Sequence, residues 1–288
     1  PDQQTAINAL GSGDIDFIEQ VPLDLLPLLE TNDDLTLETL SVMGSQTMGR
    51  MNFLYPPFDD VRIRQAAMLA MNQEDVLAAL IGNPDYYEAC GSFFGCQTPL
   101  GSDAGTDTWM ATGNLERARE LLEEAGYDGT PVVMLQPTDV ATVSPQPVVA
   151  AQALRQAGFN VELQPMDWQT LVTRRASQSE PADGGWNMFF TNWIIPEVWN
   201  PIVNPMLNGQ GREGGFFGWP EDAELDAMRL DFAMAGSDEE RERIAEAIQV
   251  HALEQVIYVP LGDYRSVSSW SNQLDGVLKG PVPVFWNL

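Results

Sequence analysis

Tyr55-Pro56-Pro57-Phe58-Asp59-Asp60-Val61-Arg62-Ile63-Arg64-Gln65-Ala66-Ala67 decides how this chain is read. Two prolines exclude helix up to Pro57 and predict an extended entry. Asp59 or Asp60 then offers a side-chain oxygen to cap a helix. Ile63, Ala66, Ala67, Ala70 and Met71 recur at helical spacing and make one apolar stripe. Arg62 and Arg64 fall near the positive end of the helix dipole, so Asp59 is expected to offset Arg62 and Asp60 to offset Arg64. Asn72 begins a second helix, with Glu74 and Asp75 in its first turn and Gly82 past its end. An extended segment leading into a compact helical pair marks entry into a new lobe.

The 288 residues suffice for one large or two medium domains, and a hydrophobic content of 44% can fill their cores. No apolar run reaches the ~20 residues a membrane helix needs. No signal peptide opens the chain at Pro1, which predicts a mature protein or a piece of one. Forty-two acids against fourteen bases give a net charge of −28, and Lys279 is the only lysine. Such a surface excludes nucleic acid and anionic membranes as partners. Cys90 and Cys96 are the two cysteines and His251 the one histidine, too few for a four-ligand zinc site. A disulfide closing the short loop Cys90-Gly91-Ser92-Phe93-Phe94-Gly95-Cys96 is expected instead, and with it an oxidising compartment.

Outward from the opening stretch, residues 5–10 read as helix, 14–18 and 35–40 as strands, 48–55 as an extended piece, and Pro22 and Pro27 bracket a short helix. Residues 83–113 are irregular and pinned by the cysteines. Asn114 caps a helix ended by Gly126. Strands at 131–135, 161–166 and 186–193 then alternate with helices at 147–157 and 168–178, which argues a parallel or mixed α/β sheet. Helices follow at 221–232 and, behind the capping box of Ser237 and Glu240, at about 238–254. A strand at 256–261 closes the pattern.

Four segments carry a family resemblance. Pro56 to Ala66 with Ala70-Met71-Asn72-Gln73-Glu74-Asp75-Val76 resembles the entry to the C-terminal lobe of family 5 extracellular solute-binding proteins, the peptide- and nickel-type receptors of ABC importers. Ala9-Leu10-Gly11-Ser12-Gly13-Asp14-Ile15-Asp16 is similar to a segment deep in that family's N-terminal lobe. Asn114 to Gly129 resembles its "A-x-x-LL-x-x-AGY-x-x-G" element, and Val259-Pro260-Leu261 its return to the N-terminal lobe. The resemblance implies a type II periplasmic-binding-protein fold, α/β, with mixed-sheet lobes and a hinge. Residues 1–50 would be part of the N-terminal lobe, 51–262 the C-terminal lobe, and 263–288 the segment completing the first. Crossovers near 50–56 and 258–265 would be hinges, and the first half of the receptor would be absent. The implied function is capture of a peptide or other small polar solute and delivery to an inner-membrane permease. A full-length monomer in the periplasm, or outside and membrane-associated, is implied.

Catalytic motifs are thin. Gly209-Gln210-Gly211-Arg212-Glu213-Gly214 spells G-x-G-x-x-G without the strand before it or the helix after it that a dinucleotide site needs, so it reads as loop. His251 reads as a partner to nearby acids. No nucleophile motif stands near it, so no enzyme, cofactor or metal is expected. A secreted hydrolase using paired carboxylates, glycosidase-like, and a plain interaction module on the same fold are the alternatives. What remains is a set of rings and amides at and after one strand end: Asn192, Trp193, Trp199, Asn200, Phe216, Phe217 and Trp219. Ligands bind outside the carboxyl ends of strands in open α/β sheets. These residues, with Glu197, Tyr264 and Arg265, are the candidate ligand site. In the peptide-binding relatives a "W-x-x-D" element follows this strand, and its aspartate holds the peptide's amino group. The matching positions here are Trp193, Ile194, Ile195 and Pro196, so the acid is missing.

Overall fold

The computed structural model describes residues 3–110 and 113–286. Its strands are β1 (Phe17–Val21), β2 (Leu35–Glu38), β3 (Ser45–Met51), β4 (Tyr87–Glu88), β5 (Val132–Pro137), β6 (Val161–Met166), β7 (Met188–Ile194), β8 (Val259–Tyr264) and β9 (Val267–Ser271). They form two sheets. The smaller has the order β1-β9-β2 and the larger β4-β8-β3-β7-β5-β6. In the larger sheet β5 runs parallel to β6 and β7, whereas β3 is antiparallel to β7 and β8, so the sheet is mixed.

The opening stretch caps its helix as expected, at Asp60, whose side chain accepts the Arg62 N–H. Helix Val61–Ala70 buries Ile63, Ala66, Ala67 and Ala70. Two details differ. The approach through Pro56 and Pro57 is a series of turns rather than an extended segment. The charge pairs also exchange: Asp60 holds Arg62 at 2.5 Å. Arg64 lies over the Phe53 ring and donates to the carbonyls of Phe58, Asp59 and Gln255. Its position inside the turn puts main-chain oxygens nearer than the Asp60 carboxylate.

The helices Val61–Ala70, Leu115–Ala125 and Pro145–Ala157 pack with Met188 and Phe190 into the main core. Phe189 points to the other face of β7, as alternation requires, and joins Leu135, Leu171, Trp186 and Trp219 in a second cluster. The small sheet has its own core of Ile7, Leu10, Val21, Leu26, Leu29 and Val267 under the helix Gln3–Ser12. Cys90 and Cys96 are disulfide-bonded, with Cα atoms 5.8 Å apart. The 83–113 stretch around them carries β4 and a short helix, Thr106–Trp109.

Several bounds shift for local reasons. The first strand starts at Phe17, because Asp14 still turns back to the Ala9 carbonyl. The strand expected at 256–261 begins at Val259, since Val256 closes the preceding helix Asp238–Gln255 at a φ of 51°. The extended piece expected at 48–55 is β3, ending before Asn52, whose side chain bonds the Trp186 carbonyl and the Leu54 N–H. This strand pairs in the larger sheet, not the smaller one. The chain passes from strands of the smaller sheet to strands of the larger at 39–44 and returns at 265–266. The glycine motif at 209–214 ends in the short turn Gly211–Gly214, and Gln210 bridges to Glu221.

Candidate functional site

The carboxyl ends of β5, β7 and β8 and the start of β3 meet at one end of the larger sheet, where Ser45 pairs with both Ile194 and Tyr264. Trp193 meets Phe216 edge-on at 5.9 Å, and Phe216 meets Phe217 at 4.7 Å. Trp199 stays 38% exposed on the loop beyond β7. Glu197 is exposed at the end of the short turn Ile195–Glu197. The expected ring set is therefore brought together in part.

Other members go elsewhere. Trp219 is buried against Trp186 at 5.8 Å and belongs to the second core cluster. Asn200 is buried and spends its side-chain oxygen on the N–H groups of Ile202 and Val203, which shapes the loop. Asn192 faces the opposite side of β7 from Trp193. It donates to the Thr142 carbonyl at 2.7 Å and accepts from Gln146 at 2.7 Å.

Tyr264 is nearly buried, on β8 opposite Ser45 of β3. Burial pushes its pKa up to about 12. Beside it, Asp263 accepts the Cys96 N–H at 3.0 Å, which ties the disulfide loop to β8. Burial pushes that carboxyl up to about 7, against the Cys96 hydrogen bond. Arg265 is exposed, with its N–H on the Tyr86 carbonyl and its guanidinium on the Asp85 carbonyl at 3.2 Å.

Tyr264 and Arg265 line a cleft of about 700 Å³. One wall is the 20–24 segment that leaves β1, and the other includes the 139–142 loop that leaves β5. The ring cluster of Trp193, Phe216 and Phe217 lies outside this cleft. Sequence reasoning missed Arg175, Thr142 and Gln146. The Arg175 guanidinium stands 5.0 Å from the Phe217 ring, 5.6 Å from Trp168 and 5.7 Å from Phe189, and burial lowers its pKa. None of the three carries a motif, and only the fold brings them to these elements.

His251 is paired as its setting suggested, with Nε2 2.7 Å from Asp222, the residue that caps the helix Ala223–Met234. The Asp222 bond raises the His251 pKa from 6.5 against the opposing effect of burial. Burial works to raise Asp222, but His251 and the Leu225 N–H outweigh it and hold Asp222 below 3.8. The histidine contribution is complete below pH 6.5 and fades as pH rises through the raised folded-state value. The aspartate contribution is complete above pH 3.8 and fades as pH falls through the lowered one. Stability from the pair is thus expected to be full between pH 3.8 and 6.5 and to be lost on the alkaline side first. Urea unfolding of His251→Gln checks this. The variant should be less stable by about 1.5 kcal/mol in that window, and the difference should shrink above it. A difference independent of pH would contradict the assignment.

Two sheets, each with its own core and joined by two neighbouring crossovers with a cleft between them, define a type II periplasmic-binding-protein fold. The oligopeptide-binding protein AppA of Bacillus subtilis, solved with a nonapeptide, superposes with a TM-score of 0.81 at 19% identity, over 98% of this chain and 56% of that one. The model of the bacterial extracellular solute-binding proteins, family 5, matches residues 1–214, and the chain belongs to that family. A probable peptide ABC transporter periplasmic-binding protein of Sinorhizobium fredii is 37% identical over 287 residues, covering 100% of this chain and 54% of the relative. The glutathione-binding protein GsiB of Escherichia coli is 24% identical over 291 residues, 96% of this chain and 53% of its own length. The chain thus spans about half the length of the curated relatives it matches. Among the described residues no helix is long and apolar enough to cross a membrane.

Proposed function

We propose that the chain is part of the substrate-binding component of an ABC importer, which takes a peptide or other small polar solute between two lobes and presents it to a membrane permease. The observation that carries this reading is the cleft of about 700 Å³ between the two sheets, floored by the residues of one crossover. Residues 3–38 and 267–286 belong to one lobe and 45–264 to the other, with 39–44 and 265–266 as the hinge. Capture then needs only lobe movement about two short connections, without covalent chemistry. The relatives' names, a peptide receptor and a glutathione receptor, support a solute of that size. The protein works as a monomer in the periplasm or on the outer face of the membrane.

The ring loop contributes the second part of the site. Trp199 and Glu197 are exposed on it, beyond the carboxyl end of β7. Calorimetry on the full-length protein with its co-purified solute tests this. Trp199→Ala should weaken binding by about 2 kcal/mol, as expected of an exposed ring that becomes an anchor. Glu197→Gln should weaken it for cationic solutes only. Unchanged affinity in both variants would remove the loop from the site. Turnover of the solute would overturn the receptor reading itself.

A further inference from the structure

The chemistry of the cleft floor is one-sided. Asn192, Thr142 and Gln146 form a hydrogen-bonded set without a charged member. Gln146 is fully buried, and its side-chain oxygen has no partner. Thr47, opposite Asn192 on β3, is also fully buried with an unpaired hydroxyl. Neither lines the cleft, whose lining beside Arg265 includes the neutral side chains of Tyr264 and Thr142.

Three charged residues line the cleft: Asp24, Asp139 and Arg265. Asp139 already accepts the Trp168 N–H at 2.7 Å. Asp24 sits at the far wall, in the short turn Leu23–Leu25. Arg265 adjoins Tyr264 and makes no ion pair among the described residues, although the chain carries 42 acids. Its one side-chain hydrogen bond goes to a main-chain oxygen. The remaining N–H groups of a guanidinium fork match a carboxylate.

We propose that Arg265 receives a carboxylate of the solute while the neutral side chains of Tyr264 and Thr142, which line the same cleft, take hydroxyl or amide groups, so that the cleft selects acids without an ammonium group. This rests on the receptor reading above. Pro196, at the position where the resemblance would place an ammonium-holding aspartate, is consistent with that polarity. The net charge of −28 opposes an incoming anion at long range, but screening confines that effect to roughly 8 Å at physiological salt. Association of an acid should therefore quicken as salt is added.

The test is calorimetry on the full-length protein with N-acetylated di- and tripeptides as free acids, the same peptides as carboxamides, and unblocked peptide amides, which carry only an ammonium. The free acids should bind at least tenfold more tightly than their carboxamides, the weight of a charge-assisted contact. Arg265→Gln should abolish that preference by weakening the free acids about tenfold more than the carboxamides, whereas Trp199→Ala should weaken both forms alike. Equal affinity for acid and carboxamide, a preference that survives Arg265→Gln, or no binding by any acid would each overturn the inference. If the ammonium-bearing peptide amides alone bind, the receptor reading stands without it. If the probes are hydrolysed, the receptor reading falls as well.

Discussion

Replacing Arg50 with methionine is expected to lower the unfolding free energy by about 3 kcal/mol or more. Arg50 lies on β3 with no exposed surface. Its guanidinium donates to the carbonyls of Phe217 at 2.5 Å, Met206 at 3.1 Å and Ile257 at 2.6 Å. No carboxylate pairs with it among the described residues, and burial pulls its pKa down to about 9, only partly offset by Tyr258. It remains a cation at neutral pH. Methionine would fill most of the volume and donate nothing. Three carbonyls in the interior would lose a donor, each at a cost of about 1 kcal/mol or more. Relief from burying a charge works the other way, which keeps the estimate below the sum of three full penalties. Urea unfolding measures the effect. A loss under about 1 kcal/mol would mean that the carbonyls find other donors. The same bonds hold the 206–218 loop on the sheet.

The parts of this fold that were legible are those decided within a few residues. Asn72, Asn114, Asp167 and Ser237 each cap the helix that follows them, because the cap is a contact between neighbours in sequence. β3 was harder. Its sequence, Ser-Gln-Thr-Met-Gly-Arg-Met, has no alternation, and Gln46, Thr47 and Arg50 look like surface residues. They are buried because β3 lies between β7 and β8, with both faces covered, so the polar groups of Gln46 and Arg50 are turned to bonds across the fold while the Thr47 hydroxyl has no partner. Trp219 was misplaced for a similar reason. Gly218, at a φ of 103°, brings the backbone against Arg50, and the chain then turns the Trp219 ring onto Trp186. The candidate site was legible at the strand ends and in the rings, which declare themselves by type. Its floor was not, since Gln146 and Thr142 stand about fifty residues before their partner Asn192 and acquire meaning only through the parallel pairing of β5 with β7.

The two crossovers should tolerate almost no added bulk between them, and Gly44→Ala is expected to cost about 3 kcal/mol. Gly44 adopts a φ of 76°, and a methyl group there would press into the Tyr264 carbonyl, well inside van der Waals contact. The Arg265 side chain would be 3.1 Å away. Gly44 also accepts the Ile195 N–H at 3.1 Å, so it cannot retreat without breaking the end of β7. Two effects therefore add: the left-handed backbone, at about 1 kcal/mol, and a clash with main chain that no side-chain rotation relieves. Gly126→Ala separates them. Gly126 has nearly the same conformation, with a φ of 73°, but open space where its methyl would go. It should lose about 1 kcal/mol, the conformational part alone. Urea unfolding of the two variants side by side measures the difference. Because Tyr264 and Arg265 line the cleft, Gly44→Ala should also weaken solute binding, whereas Gly126→Ala should leave it unchanged. Equal losses in the two variants would show that the crossovers yield to one another freely, and a hinge closing around close-packed main chain would then be untenable.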